Sequence, residues 1–355
     1  MSRNKKLIII ALACMAAGLV IGGVGFILGG RPGFYVNASG IHPANSTSSR
    51  DYETLEKTKV DPFTSIDVEL NNATMKLIPS DDYYVEYRLL KADNGEQTYT
   101  VADDKFTFKE NKGRSNVTYI NFFSTGPTFF GNSQSCYFNL YVPQDVYFKT
   151  VTIFNASGDV SLCDMKAGAL TLDLSFGNLQ LQTAAADTMD ITLSSGDLNA
   201  VSMDAKRLNI EDFFGNIKSG SITAETADIS LSSGDLDVMT MDCDTLTLND
   251  SFGNVTFDTF VNQSADISLN SGDFEAGNAK LVDVDIDDSF GNVEISFADS
   301  LDKYSLDLKT DFGSVSLDGG RWSDKDMGDQ FISDKDTDNM IKIRCSSGDI
   351  DLKEE

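Results

Sequence analysis

Residues 191–236 read ITLSSGDLNAVSMDAKRLNIEDFFGNIKSGSITAETADISLSSGDL, with Gly196, Gly215 and Gly234 nineteen residues apart. Working outward, the same interval joins Gly158, Gly177, Gly196, Gly215, Gly234, Gly253, Gly272 and Gly291, preceded mostly by Ser or Phe and followed by Asp or Asn. Gly313 arrives three residues late and Gly348 sixteen residues late, which marks 301–303 and 323–338 as insertions in a series of about ten repeats. Five residues before every glycine stands Ile or Leu, as at Ile191, Ile210 and Ile229, and two residues after it stands another apolar residue, as at Leu198, Ile217 and Leu236. The residue seven before is apolar in all ten, with polar residues between, which is the period-two alternation of a strand with one buried face.

Ten units of fixed length with identical inward columns predict stacking of equivalent coils rather than ten hairpins. The expected fold is all-β: a parallel β-solenoid of about ten 19-residue rungs over residues 149–355, behind an N-terminal β cap at 60–148 and a single transmembrane helix. Nineteen residues at about 3.3 Å each give a contour near 60 Å, enough for one small rung of two or three short strands. Glycine suits a corner because it reaches positive φ without penalty. The repeats also alternate in kind, Ser-Gly-Asp at Ser157, Ser195, Ser233, Ser271 and Ser347, and Phe-Gly-Asn at Phe176, Phe214, Phe252 and Phe290. Leu231 in one kind becomes Asp250 in the next while Ser233 becomes Phe252, so Phe is expected to replace Leu as the inward plug in alternate rungs. A 38-residue coil with Phe stacked on Phe is the competing geometry.

Leu7 to Leu28 carry no charge and follow Arg3, Lys5 and Lys6, so 7–28 is expected to span the bilayer with 1–6 in the cytoplasm and the solenoid outside. The run is too long for a signal peptide's apolar region. Gly18-x-x-x-Gly22 and Gly25-x-x-x-Gly29 suggest a homodimer through that helix. Residues 29–59, rich in Ser, Thr, Asn and Gly, read as a flexible stalk. Phe122, Phe123, Phe129 and Phe130 crowd around Gly126-Pro127 and read as core, with an exposed aromatic contact site as the alternative. The charged end at Asp351 and Lys353 to Glu355 is expected to shield the last rung from edge pairing.

Fifty-five acidic against 28 basic residues, net charge −27, argue against nucleic acid as a partner. A single histidine, His42, removes the usual participant in general-base and triad chemistry, so no catalytic residues and no cofactor are expected. The five cysteines, with no C-x-x-C pair, read as small buried thiols. The residue after the glycine runs Asp, Asn, Asp, Asn, which puts like charges two rungs apart, roughly 10 Å. Asp197, Asp235 and Asp273 are the places where calcium would find oxygens, but the Gly-Gly-x-Gly-x-Asp pattern is missing and a solvated acidic face is the preferred reading.

The Leu140-Tyr141-Val142-Pro143 run followed by Ser-Gly-Asp repeats with apolar alternation resembles the putative-adhesin family of β-strand-repeat bacterial envelope proteins, which includes LiaG-like proteins, over about residues 60–355. The resemblance implies a membrane-anchored surface protein tied to envelope stress, with no catalytic residues to carry over. The functions to weigh are therefore a surface module contacting an envelope polymer or surface protein, a sensor component of an envelope-stress system, and a polysaccharide-cleaving solenoid. The last would draw its carboxylates from Asp190, Asp228, Asp266, Asp285 and Asp307.

Overall fold

The computed structural model describes residues 33–37, 40–43, 52–91, 95–111, 118–121, 136–318, 320–322 and 328–354. The strand Ile217–Leu231 shows how one repeat becomes one rung. Its inward positions are 217, 219, 222, 224, 227, 229 and 231, and the alternation skips a beat at 220–221 and again at 225–226. Two consecutive outward residues turn the chain, so these two places and the glycine are three corners, and the rung has three short faces around a shared interior. Successive rungs pair in parallel at an offset of nineteen, Ile191 with Ile210, Ile210 with Ile229 and Ile229 with Leu248. The coil is therefore 19 residues long, not 38. Ile191, Ile210 and Ile229 are fully buried, each contributing about 1.5–3 kcal/mol over an exposed position.

The rungs do not stack in sequence order at the C-terminal end. Phe274–Phe290 and Val293–Phe297 pair with Met340–Ser347 and Ile350–Glu354, and these in turn pair with Ser305–Thr310 and Val315–Leu317. The Gly348 rung thus lies between those of Gly291 and Gly313. The expected role of the C-terminal charges is corrected accordingly: Ile350–Glu354 is flanked on both sides, and Lys353 pairs with Glu294 at 2.5 Å and Asp351 at 3.0 Å. The shielding of the outermost layer comes instead from antiparallel strands, Gln330–Ser333 on Ser305–Thr310 and Gly320–Trp322 on Val315–Leu317. Of the two proposed insertions, Leu301–Lys303 is a short 3-10 helix, and the stretch 323–338 contains the strand Gln330–Ser333. If the chain ends at residue 338, amides of 305–317 are expected to lose hydrogen-exchange protection while those of 179–269 keep it. Stacking in sequence order would leave 305–317 protected.

The N-terminal end repeats the device. Ser65–Leu70 and Thr74–Ser80 pair in parallel with Tyr147–Asn155 and Val160–Leu162 on one side and with Lys105–Lys109 and Tyr137–Pro143 on the other. They form a rung without the glycine marker, Ala73 taking the corner, and the expected β cap is continuous with the repeats. Tyr84–Leu90 and Tyr99–Ala102 cover the outer layer in antiparallel fashion. A cluster of Phe63, Phe106, Phe108 and Phe138 fills the interior here.

The stalk reading of 29–59 is corrected where the structure describes it. Tyr52–Lys59 is a strand pairing with Tyr84–Leu90. Its polarity comes from having no buried position rather than from being unfolded, and Lys57 lies over the rings of Tyr84 and Tyr141 at 4.5 and 4.0 Å. In a second compact unit, Gly33–Asn37 pairs with Gly40–Pro43 and Thr118–Asn121 in a three-stranded antiparallel sheet. No helix among the described residues is long and apolar enough to cross a membrane. The span at 7–28 and the phenylalanines at 122–130 lie outside the described residues.

Candidate functional site

The glycine corner is where the ten repeats are most alike. Gly158, Gly177, Gly196, Gly234, Gly272 and Gly348 have φ between +124° and +153°, a region closed to most side chains. Space is the stricter constraint: a Cβ on Gly215, whose φ is not in that range, would still lie 2.0 Å from Gly196 O. Gly348 would meet Gly291 O at 1.6 Å and Gly313 would meet Gly348 O at 1.9 Å, so the glycine column follows the spatial order. All ten turn glycines read from the sequence stand in this column.

Beside the glycines runs a ladder of side-chain bonds. Asn178 N–H donates to Asp159 Oδ1 at 2.8 Å, Asp197 N–H to Asn178 Oδ1 at 2.9 Å, Asn216 N–H to Asp197 Oδ1 at 2.9 Å, and the pattern continues through Asp235, Asn254, Asp273 and Asn292 to Asp349. The amide groups of Asn216, Asn254 and Asn292 also donate to the aspartate below. The neutral asparagines hold carboxylates two rungs apart, as the sequence predicts. Asp197, Asp235 and Asp273 thus each give an oxygen to this ladder. Among the described residues no three His, Cys, Asp or Glu side chains converge as metal ligands.

The expected Phe plug is overturned. Phe176, Phe214, Phe252, Phe290 and Phe312 are 59–65 % exposed, while Asp212, Asp250 and Asp288, two residues earlier, are 2–4 % exposed inside the rungs. Strand parity stops at the corner: three residues before the glycine the chain is still in the strand and points inward, whereas the residue just before the glycine belongs to the turn. The phenylalanine backbones are pinned, Gly196 N–H donating to Phe214 O at 3.0 Å and Gly234 N–H to Phe252 O at 2.9 Å. Each ring therefore leaves the corner from a fixed place, with a Ser-Gly-Asp rung between it and the next. Sequence order breaks this alternation, because Phe290 is followed by Phe312 before Ser347. Spatial order restores it, since Gly291 N–H bonds Ser347 O and Gly348 N–H bonds Phe312 O. The result is one exposed ladder of five rings, about 10 Å from ring to ring.

Burial pushes the carboxyls of Asp212, Asp250 and Asp288 up to about 6, against backbone N–H bonds that favour the charged form. Asp212 Oδ2, Asp250 Oδ2 and Asp288 Oδ2 have no hydrogen-bond partner among the described residues. The same column shows what the position prefers. Asn155 donates its amide to Ala73 O at 2.9 Å and Gly158 O at 2.8 Å, and Thr310 Oγ1 donates to Gly348 O at 2.8 Å. A Cβ on Gly313 would lie 2.9 Å from Thr310 Oγ1, and a Cβ on Gly215 would lie 2.9 Å from Asp212 Oδ2. Asp212 Oδ2 thus lies as close to its corner glycine as the threonine hydroxyl does to Gly313, and a carboxyl oxygen can donate as that hydroxyl does only when protonated.

The acidic column considered for glycan cleavage is spread along the outer surface. Asp266 faces Asp285, whose carboxylate pairs with Lys342, and Asp307 pairs with Arg344. Cys163, Cys243 and Cys345 are free thiols, Cys163 half-buried and the other two buried, and burial pushes the Cys243 thiol up to about 11 and that of Cys345 to about 12.

The Toastrack DUF4097 family model matches residues 63–259 and 202–353, which span the rungs and both covered ends. The chain belongs to the Toastrack DUF4097 family. The β-strand-repeat membership implied by the resemblance holds. Solved structures similar to this Toastrack chain include a putative adhesin from Parabacteroides distasonis, 12% identical, covering 85% of this chain and 98% of that one with a TM-score of 0.41. Another is a putative adhesin from Parabacteroides merdae, 16% identical, covering 70% and 97% with a TM-score of 0.42. A third is described as a putative lipid binding protein from Parabacteroides distasonis, 14% identical, covering 86% and 97% with a TM-score of 0.41. No curated protein matches the sequence.

Proposed function

We propose that this Toastrack protein is a non-catalytic surface module, anchored by residues 7–28, whose solenoid edge attaches to an envelope component. The observation that carries the reading is the ladder of exposed rings. Five phenylalanines more than half exposed, in one column and with backbones fixed, form an apolar contact row that folding alone does not explain. Uncharged Leu7 to Leu28 behind Arg3, Lys5 and Lys6 supports the anchor and an outward-facing solenoid. Replacing Phe214 and Phe252 by Ala is expected to leave the melting temperature nearly unchanged, because both rings are exposed, and to reduce sedimentation of the protein with isolated bacterial envelopes several-fold. Unchanged sedimentation would remove the ladder from the function.

A further inference from the structure

The corner that carries the rings has a second property. Across all ten corners, from two residues before the glycine to one after it, there is no Lys or Arg. Asp159, Asp197, Asp235, Asp273 and Asp349 stand in the rungs that lack a ring, and Asp173, Glu211 and Asp287 lie outward three residues before Phe176, Phe214 and Phe290. The same position is Asn249 before Phe252 and Lys309 before Phe312, and Lys309 pairs with Asp311 at 2.9 Å, so carboxylates border the ladder in a chain of net charge −27. An aromatic face beside a carboxylate is the surface that attracts an ammonium group, the ring through its quadrupole and the acid through its charge. The same charges oppose a second copy of this edge and an anionic lipid surface.

The spacing narrows the partner further. Rings recur at every second rung, about 10 Å, and continue over nine rungs from Phe176 to Phe312. In a β-extended peptide, same-face side chains recur at about 6.6 Å, so they meet only every second ring in register. In a β-linked glycan, sugars alternate in facing, and each advances about as far as one rung, so equivalent faces meet successive rings. We propose that the phenylalanine ladder binds an extended cationic amino-sugar polymer, one ring contacting every second sugar while the intervening aspartates face its ammonium groups. The inference rests on the reading of this ladder as the attachment surface and names the chemistry that it takes.

The test uses the full chain in detergent, with β-1,4-linked glucosamine hexamer, its N-acetylated counterpart and poly-lysine as probes in calorimetric titrations. The glucosamine hexamer is expected to bind, to weaken as salt rises, and to lose about tenfold in affinity in the F214A/F252A protein. The acetylated hexamer, with the same backbone but no charge, is expected to bind at least about tenfold more weakly. The proposal is overturned by no binding of the glucosamine hexamer, by equal binding of the two hexamers, or by equal binding to the double variant. It is also overturned if poly-lysine binds as tightly with the same dependence on the two rings, which would assign the ladder to a basic peptide. Loss of envelope sedimentation in the double variant without glucosamine binding would overturn this partner and leave the attachment surface standing.

Discussion

Raising the pH from 5 to 8 is expected to destabilise the solenoid, and replacing Asp212, Asp250 and Asp288 by Asn is expected to abolish most of that loss. The three carboxyls titrate near 6 in the folded chain, against 3.8 for an ordinary aspartate. Between these values the folded state holds more protons than the unfolded one, so stability falls as pH rises, and the penalty is complete above the folded value. A shift of this size corresponds to about 3 kcal/mol for each carboxyl over the whole interval, of which about 1.4 kcal/mol falls between pH 5 and 8. The groups facing them do not cancel the effect: Asp197, Asp235 and Asp273 border the three sites and raise them further, and Asp288 in turn raises the Cys345 thiol. Asp82, Glu86 and Asp302, held below their usual range by partners, lose their contributions only on the acid side of the ordinary carboxylate range. Asn155 shows that an amide in this column bonds both neighbouring carbonyls. Urea unfolding of the wild-type and triple-Asn proteins at pH 5 and 8 measures the effect. Parallel pH dependence in the two proteins would show that these carboxyls are not the source.

The interval of nineteen, the inward columns and the corner glycine are legible in the sequence because a stacked coil forces each residue to meet its equivalent, so every rung repeats the same demands. Ile153, Ile191 and Ile229 satisfy one such demand. What happens at the corner is not legible by the same rule. Parity carried through the turn places Phe214 inside and leaves Asp212 unremarked, although the strand's own alternation already points Asp212 inward. A buried carboxylate is unexpected on energetic grounds, and composition gives no sign that its proton makes it tolerable.

Linear order also hides which rungs touch. Gly313 follows Gly291 in the chain, but the strand pair ending the sequence inserts between them, and only the adjacent Phe290 and Phe312 repeats disturb the alternation enough to signal it. At the other end, Ala73 replaces the glycine, and with it goes the marker by which a rung is counted. In both places the irregularity serves the ends, where a parallel layer has to be covered by antiparallel strands. The candidate site is legible in part: the aspartates after the glycine are visible as a column, while their ladder and the outward rings are consequences of the corner's backbone.

Replacing Gly234 by Ala is expected to be among the most damaging single changes in the molecule. The added Cβ would lie 1.7 Å from Gly215 O and 2.6 Å from Gly215 C, both backbone atoms, at a φ of +137°. A flexible side chain has no means of stepping aside here, so the Gly215 and Gly234 rungs have to separate locally or rotate the peptide. Separation breaks the bond from Gly215 N–H to Ser233 O, rotation breaks that from Gly234 N–H to Phe252 O, and both disturb the Asn216–Asp235 step of the ladder. Steric strain and lost hydrogen bonds together are expected to exceed about 4 kcal/mol. Gly95→Ala is the control that separates the two causes: its φ of +90° is also unfavourable, but nothing lies within 4 Å of the new Cβ, so about 1 kcal/mol is expected. Thermal unfolding and limited proteolysis of both variants give the comparison. Cleavage between residues 213 and 236 in Gly234→Ala alone is the predicted pattern, and equal effects of the two substitutions would mean that φ, not the stacked carbonyl, is what reserves this column for glycine.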